Sequence, residues 1–314
     1  MEEGIDSRVV DVKPIAAEHE TLPIPEYRQV LTALNRTGIL SILPGSERLG
    51  VIGIDGKEYP APTEVEVREI FDHNRKLVET KKAQGFTKLQ ITPLATPIFL
   101  LIARAEREIV KHSDSGRIFQ TKRDSNDPSV PTRVDRSEPV GVSDIVREAI
   151  NADSIVYFPK QFDSNHKGKT KLEVINDPKI CPIPGWSVGL TENTSILPQN
   201  RHGATSGGRK QLGTNLSAED YLKALQGSVY KGETGWTYED VLTDFLVNLH
   251  NTNQVSNEYY EDSAVWLIGS YLLSSPRVPV SFWHRVPGRL HVSANASDNR
   301  YEHWGVRSTV RLSV

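Results

Sequence analysis

The spacing of apolar residues predicts an α-rich first third of the chain. Thr63, followed three residues later by Glu66, forms the sequence pattern of a capping box, and Gly85 ends the helix that begins there. Helical spacing also runs through 26–43, although Gly38 weakens its second half. The predicted elements of this part are helices over 26–43, 63–84 and 96–112 and a strand over 86–92.

The pattern changes after a charged, proline-containing stretch at 122–138, which is interpreted as a loop or linker. Short apolar runs alternate there with two helices, for which Ser217 and Thr237 are the predicted N-caps. The predicted strands are 155–158, 171–175 and 186–190, and the predicted helices are 143–151, 218–225 and 238–249. The order is therefore strand, two helices and then a strand-rich terminal stretch.

The terminal stretch, 264–314, alternates apolar and aromatic residues with small polar ones, which predicts strands and turns rather than helix. Residues 284–292 are expected to form a hairpin that turns at Pro287 and Gly288. A closing strand within 306–312 is expected to pair with the strand at 155–158 or with the strand at 186–190. That pairing would close the fold on itself.

Strand geometry predicts two different faces in the terminal stretch. Successive side chains of a strand point to opposite sides, so Phe282 and His284 should point together and away from Trp283. We therefore expect one face to carry the packing and the other to tolerate change.

Overall composition indicates a water-soluble globular protein of one large or two ordinary domains: 314 residues, 37% hydrophobic and 25% charged. The net charge of −3 gives no electrostatic reason to expect nucleic acid as a partner. No apolar run is long enough to span a membrane, and the acidic N-terminus does not read as a secretory signal. A cytoplasmic location is expected, with export by another route left open. The single cysteine, Cys181, excludes an internal disulfide framework.

Local composition sets the terminal stretch apart from the rest of the chain. Residues 270–314 contain no Lys, Gln or Met and only one Glu, and their positive charge comes from Arg. Aromatic residues, His, Ser, Asn and Asp lie between the arginines. This mixture is favoured in binding loops because it combines rigid contact area with adaptable hydrogen bonding. A meander of buried strands is the alternative interpretation of the same composition.

The run that includes Trp266, Trp283, Gly305, Arg307 and Arg311 resembles the end of the C-type lectin fold, as in formylglycine-generating-enzyme-like domains. More narrowly, it resembles the variable proteins of diversity-generating retroelements. In that family adenines of a template are copied with errors, so that AAY codons become NNY codons, which cannot encode Lys, Glu, Gln, Met or Trp. The terminal composition fits this rule, and within 270–314 the residues outside it are Trp283, Glu302 and Trp304.

The resemblance implies an α+β protein with a C-type lectin fold in its C-terminal half, preceded by an α-rich domain. Residues 1–140 would form the N-terminal domain with its tail and linker, and residues 141–314 the ligand-binding domain, with a variable region at about 270–314. The five residues that carry the resemblance would be scaffold. The implied contact positions are Arg277, Phe282, His284, Val286, Leu290, His291, Ser293, Asn295, Asn299, Tyr301 and His303.

The implied function is non-covalent recognition of a protein or a cell-surface ligand, with no catalysis, cofactor, metal, nucleic acid or membrane involved. The enzymatic members of the broader fold need cysteines late in the domain, and Cys181 lies well before the terminal stretch. The chain departs from the enzymes at this point.

Two other classes of function compete with recognition. The Gly-rich basic loop at 201–210 suggests a nucleotide-binding protein or an enzyme, but Lys210 is not followed by Ser or Thr at the start of a helix. A structural module of a phage-like assembly is the third interpretation. The histidines are scattered, without the spacing of metal ligands.

Overall fold

The computed structural model describes residue 24 and residues 26–120, 131–194, 197–258 and 264–314. Residues 1–23 of the tail predicted over 1–24, and residues 122–130 of the predicted linker, lie outside the described residues. The helices are α1 (Tyr27–Arg36), α2 (Glu64–His73), α3 (Arg75–Ala83), α4 (Ile98–Asp114), α5 (Asp144–Asn151), α6 (Lys171–Ile175), α7 (Ala218–Leu225) and α8 (Tyr238–Thr252).

The strands of the described residues form several small sheets, so the fold is of the α+β class. They are β1 (Ser41–Ile42), β2 (Leu49–Ile52), β3 (Glu58–Pro60), β4 (Phe86–Thr92), β5 (Val140–Val142), β6 (Ile155–Tyr157), β7 (Ser187–Glu192), β8 (Thr205–Ser206), β9 (Arg209–Lys210), β10 (Glu233–Gly235), β11 (Ala264–Trp266), β12 (Ser270–Leu272), β13 (Val278–His284), β14 (Arg289–Asn295), β15 (Trp304–Val306) and β16 (Ser308–Arg311).

The closing strand lies inside a four-stranded antiparallel sheet with the order β10-β16-β7-β4. Val310 is paired with Leu190 of β7 on one side and with Glu233 of β10 on the other. The expected pairing of the last strand with residues 186–190 is therefore confirmed. Because β16 has a neighbour on each side, its backbone groups are satisfied within the sheet.

A second sheet holds the rest of the terminal stretch, in the order β15-β11-β13-β14-β5. Strands β13 and β14 form the expected hairpin, with His284 paired to Arg289 across the turn. Gly288 fits this turn because its φ is +92° and because a Cβ there would lie 2.1 Å from the carbonyl oxygen of Arg133. Strand β5 pairs in parallel with β14, so the chain before the hairpin forms the edge of the sheet.

One apolar core runs through both halves of the chain. Helices α1 and α4 each pack against α8, and α1 and α8 pack against β4. Strand β4 in turn pairs with β7 from the second half. Val30 of α1 and Val310 of β16 therefore belong to the same buried cluster. The predicted division near residue 140 does not coincide with a break in this core.

Local capping explains where the sequence-based prediction succeeds and where it fails. The capping boxes of Thr63 with Glu66 and of Thr237 with Asp240 are present, and Ser217 caps α7. Residues 171–175, predicted as a strand, form α6, because Thr170 and Glu173 make a further capping box. The sequence pattern of a capping box was therefore present at Thr170 and Glu173, although the apolar spacing of 171–175 alone favoured a strand.

Two predicted helices are shorter or divided in the structure. The helix predicted over 63–84 is interrupted at Asn74, whose side-chain amide donates to the carbonyl oxygens of Ile70 and Ser313. The helix predicted over 26–43 ends at Arg36, and Gly38 follows with a φ of +71°. In both cases a residue suited to ending a helix overrides the apolar pattern.

Candidate ligand-binding surface

The register of the β13–β14 hairpin divides its side chains between two faces. Residues directly opposite each other in an antiparallel pair point to the same side of the sheet. Trp283 is opposite Leu290, and Phe282 is opposite His291. The first pair is buried and the second pair is half-buried. The predicted alternation of Phe282 and Trp283 is therefore present.

The inner face belongs to the main core. Trp283 has no exposed surface, and its ring stacks on Phe245 of α8 with centroids 6.3 Å apart. Leu290 is only 2% exposed, so its prediction as a contact position is wrong. The physical reason is the register, which places Leu290 beside Trp283 rather than beside the exposed positions.

The outer face carries a cluster of three rings, which we call the imidazole platform: Phe282, His284 and His291. Phe282 and His291 are stacked, with centroids 5.1 Å apart and an interplanar angle of 2°. The centroid of His284 lies 5.4 Å from that of His291 and 6.1 Å from that of Phe282. The three side chains are half-buried, so they offer rigid aromatic area together with polar ring nitrogens.

Arg289 lies at the edge of the imidazole platform, and the sequence had not singled it out as a contact position. Its Nε donates to Nε2 of His291 at 3.1 Å, and its Nη1 donates to the carboxylate of Glu138. The side chain lies over Gly141, where a Cβ would be 3.1 Å from Nε of Arg289. The period of two along β14 could have identified Arg289, because it is two residues before His291.

The segment before β5 holds the hairpin from outside. The amide of Asp135 donates to the carbonyl oxygen of Gly288 at 2.7 Å, and the amide of Leu290 donates to that of Pro139 at 3.0 Å. Asp135 belongs to the stretch interpreted as a linker, and Pro139 directly follows that stretch. No sequence signal indicated this contact, because hydrogen bonds between main-chain groups do not depend on side-chain identity.

The imidazole platform is held uncharged near neutral pH. Burial, the neighbouring Arg289 and then His284 lower the pKa of His291 to about 4. Burial and Arg289 also lower the pKa of His284. Desolvation disfavours the charged form of a histidine, and a nearby guanidinium adds repulsion in the same direction. The surface is therefore aromatic and capable of hydrogen bonding without carrying imidazolium charge.

The outer face continues from the platform into a second apolar cluster. Val280 is buried there with Trp266 and Trp304, and Phe282 packs against its edge. Tyr301 lies on Trp304 with ring centroids 4.1 Å apart. Tyr301 is thus a half-buried aromatic residue at the margin of the sheet, and part of its ring packs against this second cluster.

Two predicted asparagine positions form a polar group with Tyr301. The Asn295 amide donates to the Tyr301 hydroxyl at 2.8 Å, and the Asn299 amide donates to the Asn295 side-chain oxygen at 2.8 Å. Asn295 shares the outer face of β14 with His291 and Ser293. The structure therefore brings these predicted positions together on one side of the terminal sheet.

The remaining predicted positions lie apart from this group. Val286 is 67% exposed at the hairpin turn, and Arg277 is half-buried just before β13. His303 is exposed just before β15, where its Nδ1 lies 3.2 Å from the side-chain oxygen of Gln199. These three belong to the margins of the surface rather than to the imidazole platform.

The predicted scaffold residues are all buried: Trp266, Trp283, Gly305, Arg307 and Arg311. Arg307 donates to the side-chain oxygen of Asn257 at 2.8 Å and to the carbonyl oxygen of Thr194 at 2.7 Å. Their burial agrees with a supporting role, which leaves the outer face of the hairpin as the candidate site.

The Gly-rich basic loop forms a small hairpin of β8 and β9 that turns at Gly207 and Gly208. The Arg209 side chain is 1% exposed and is bound by the carboxylates of Glu233 and Glu192. Helix α7 begins only at Ala218, so the loop does not lead directly into a helix N-terminus as a phosphate-binding loop does. This geometry offers no support for a nucleotide site.

Other site types find little in the described part of the chain. No three or more His, Cys, Asp or Glu side chains among the described residues are grouped as metal ligands would be. Cys181 is buried, and burial raises the pKa of its thiol to about 12, far from that of a nucleophile. None of the described helices combines the length and apolar character needed to cross a membrane.

Comparisons with protein-family models, with curated proteins and with solved structures gave no match for this chain.

Proposed function

We propose that the chain is a ligand-binding display protein with a C-type lectin fold in residues 141–314, of the type that retroelements diversify. It binds a partner non-covalently and catalyses no reaction. The order strand, two helices and terminal strands supports this proposal. So does the position of β16, which closes the central sheet against β7.

One observation carries the proposal. The hairpin separates an inner face that belongs to the core from an outer face whose rings are half-buried and lie against one another. Side chains on the outer face can therefore change while Trp283 and Leu290 keep the backbone in place. That separation is what a display scaffold needs, because affinity must vary without loss of the fold.

The chemistry of the surface favours a protein as the partner. Phe282, Tyr301 and the two platform histidines give rigid contact area, and Asn295 with Asn299 gives adaptable hydrogen bonds. A few such aromatic and arginine positions would carry most of the binding energy, each worth about 1–4 kcal/mol on truncation.

Two matched libraries test the display role. The first randomises the outer positions Phe282, His284, His291 and Ser293, and the second randomises the inner positions Ser281, Trp283, Leu290 and Val292 of the same strands. Each library is scored for folding and is then selected for binding to lysozyme as a model target. We expect most members of the outer library to fold and some to bind, and most members of the inner library to unfold. Equal loss of folding in both libraries would contradict the proposal.

The retroelement part of the proposal has a separate test at the level of DNA. We expect a reverse-transcriptase gene near the coding sequence and a near-copy of the segment that encodes residues 270–314. The two copies should differ at adenines of the template copy. Flanking DNA that lacks both features would remove diversification from the proposal and would leave the binding role to be judged by the libraries.

A further inference from the structure

The hydrogen bond between Arg289 and His291 fixes where the imidazole proton lies. A guanidinium group has donors and no acceptor, so the contact of 3.1 Å requires a lone pair on Nε2 of His291. In a neutral imidazole the proton must then be on Nδ1. Among the described residues Nδ1 has no hydrogen-bond partner, and the ring is half-buried on the outer face.

Arg289 is itself held in place from outside the hairpin. Its Nη1 donates to Glu138, and the carboxylate of Asp135 lies 4.0 Å from the same nitrogen. Ser137 and the amide of Glu138 donate to the side chain of Asp135 and lower the pKa of that carboxyl. Because Gly141 has no side chain, the guanidinium group has room to lie against it.

We infer that Arg289, oriented by Glu138, is a positioning residue that holds His291 as the neutral tautomer with its proton on Nδ1, so that the surface recognises a neutral hydrogen-bond acceptor. The ligand part of this inference rests on the proposed binding function. In a protein partner, this neutral acceptor would be a main-chain carbonyl oxygen. The tautomer part rests on the geometry of the free protein alone.

The charges around Arg289 disfavour an anionic ligand. The guanidinium carries one positive charge, whereas Glu138 and Asp135 place two carboxylates beside it. The two carboxylates outweigh the charge of the guanidinium, so they would repel an incoming carboxylate or phosphate. A carbonyl or amide oxygen accepts from the Nδ1–H of His291 without this repulsion.

Nuclear magnetic resonance of the full-length, ¹⁵N-labelled protein tests the tautomer directly. Long-range ¹H–¹⁵N correlations distinguish a protonated from an unprotonated ring nitrogen, and His291→Asn identifies the signals. We expect the Nδ1–H form of His291 to exceed the other tautomer by about tenfold or more, as a charge-assisted hydrogen bond implies. A wild-type His291 with its proton on Nε2 would overturn the inference.

Substitutions then show whether Arg289 and Glu138 are responsible. We expect Arg289→Met to remove the tautomer bias and to raise the pKa of His291 towards its ordinary value, and Glu138→Gln to weaken the bias. Arg300→Met is the matched control, because Arg300 pairs with Asp220 away from the platform. An unchanged tautomer in folded Arg289→Met overturns the positioning role, and if that variant does not fold, Glu138→Gln decides in the same way.

Two small probes test the chemistry of the ligand. N-methylacetamide offers a neutral amide acceptor, and sodium acetate offers a carboxylate. At matched concentration and ionic strength we expect N-methylacetamide to shift the Nδ1–H signal of His291 more than acetate does, with the exposed His73 as the reference. An equal or larger shift with acetate overturns the neutral-acceptor part. Failure of the library selections would instead contradict the proposed function and would leave the tautomer result intact.

Discussion

The closing strand β16 and the hairpin β13–β14 come from the same arginine-rich stretch, yet they use arginine in opposite ways. Arg311 on β16 is 9% exposed, and its guanidinium donates to Asp240, Ser187 and Thr234. Arg289 on β14 keeps 23% of its side chain exposed and is bound by the partly exposed Glu138 at the rim of the platform.

Burial decides what each arginine can tolerate. Asp240 has no exposed surface, and its carboxylate also accepts from Thr92 at 2.8 Å and from the Thr237 amide at 2.8 Å. Loss of one partner there leaves an uncompensated charge in the interior. Solvent can replace the Arg289 contact, so we expect changes at that site to affect folding less than changes at Arg311.

The largest effect is expected at the buried ion pair. Asp240→Asn should lower the free energy of unfolding by about 3–5 kcal/mol, because the Arg311 guanidinium would remain buried without a counter-charge. Urea denaturation measures the change. Asp220→Asn is the matched control, since Asp220 also lies in the first turn of a helix but pairs with the half-exposed Arg300. It should cost less than about 1 kcal/mol. Equal losses in the two variants would break the comparison.

The next effect separates the two faces of the hairpin. Trp283→Ala should cost about 3–5 kcal/mol through lost burial and a cavity beside Phe245. Phe282→Ser should cost about 1 kcal/mol, more than a fully exposed position, because Phe282 is half-buried and stacks on His291. Chemical denaturation of both variants measures the difference. A Phe282→Ser loss as large as that of Trp283→Ala would assign the outer face to the core.

The elements that could be predicted from the sequence are those that local signals specify. The cap residues at Thr63, Ser217 and Thr237 predict helix starts because a side-chain oxygen satisfies amides that the helix leaves free. The alternation around Trp283 predicts which strand residues are buried. The same alternation on β14 places Leu290 and His291 on opposite faces, so the two could not both be contact positions on one face. Which of the two is buried depends on the register with β13, which a single strand does not encode.

The sequence did not reveal the part of the surface that comes from distant segments. Glu138 reaches Arg289 across 151 positions of the chain, from a stretch without periodicity. The pairing of β5 with β14 is also long-range and parallel, so no turn signal announces it. The resemblance of the terminal stretch points to the hairpin alone and gives no information about this support.

The pH dependence of stability tests whether the imidazole platform is uncharged in the folded protein. Below pH 6.5 the unfolded chain protonates His291, whereas the folded protein does so only near pH 4. Stability should therefore fall as the pH drops through this window, by up to about 2–3 kcal/mol from this residue. Arg289, His284, Glu138 and Asp135 are the charged or titratable groups around it.

The difference between wild type and His291→Asn isolates that contribution. We expect the stability of the variant to depend less on pH between 6.5 and 4, with the wild type losing its advantage as the pH falls. Urea denaturation at several pH values measures this dependence. His250→Asn is the control, because burial also lowers the pKa of His250 but His250 lies outside the platform. Parallel curves for wild type and His291→Asn would mean that His291 titrates normally and that the platform is open to solvent.

The smallest effect is expected at the margins of the surface. Val286→Ser and His303→Asn should each change the free energy of unfolding by less than about 0.5 kcal/mol, because Val286 is 67% exposed and His303 is exposed. Gly288, two residues after Val286, is the internal contrast. Gly288→Ala should cost more, since its φ of +92° and the nearby Arg133 carbonyl leave no room for a Cβ. If Val286→Ser destabilised the protein as much as Gly288→Ala, the turn would be held by its side chains. The outer surface would then be part of the scaffold rather than displayed on it.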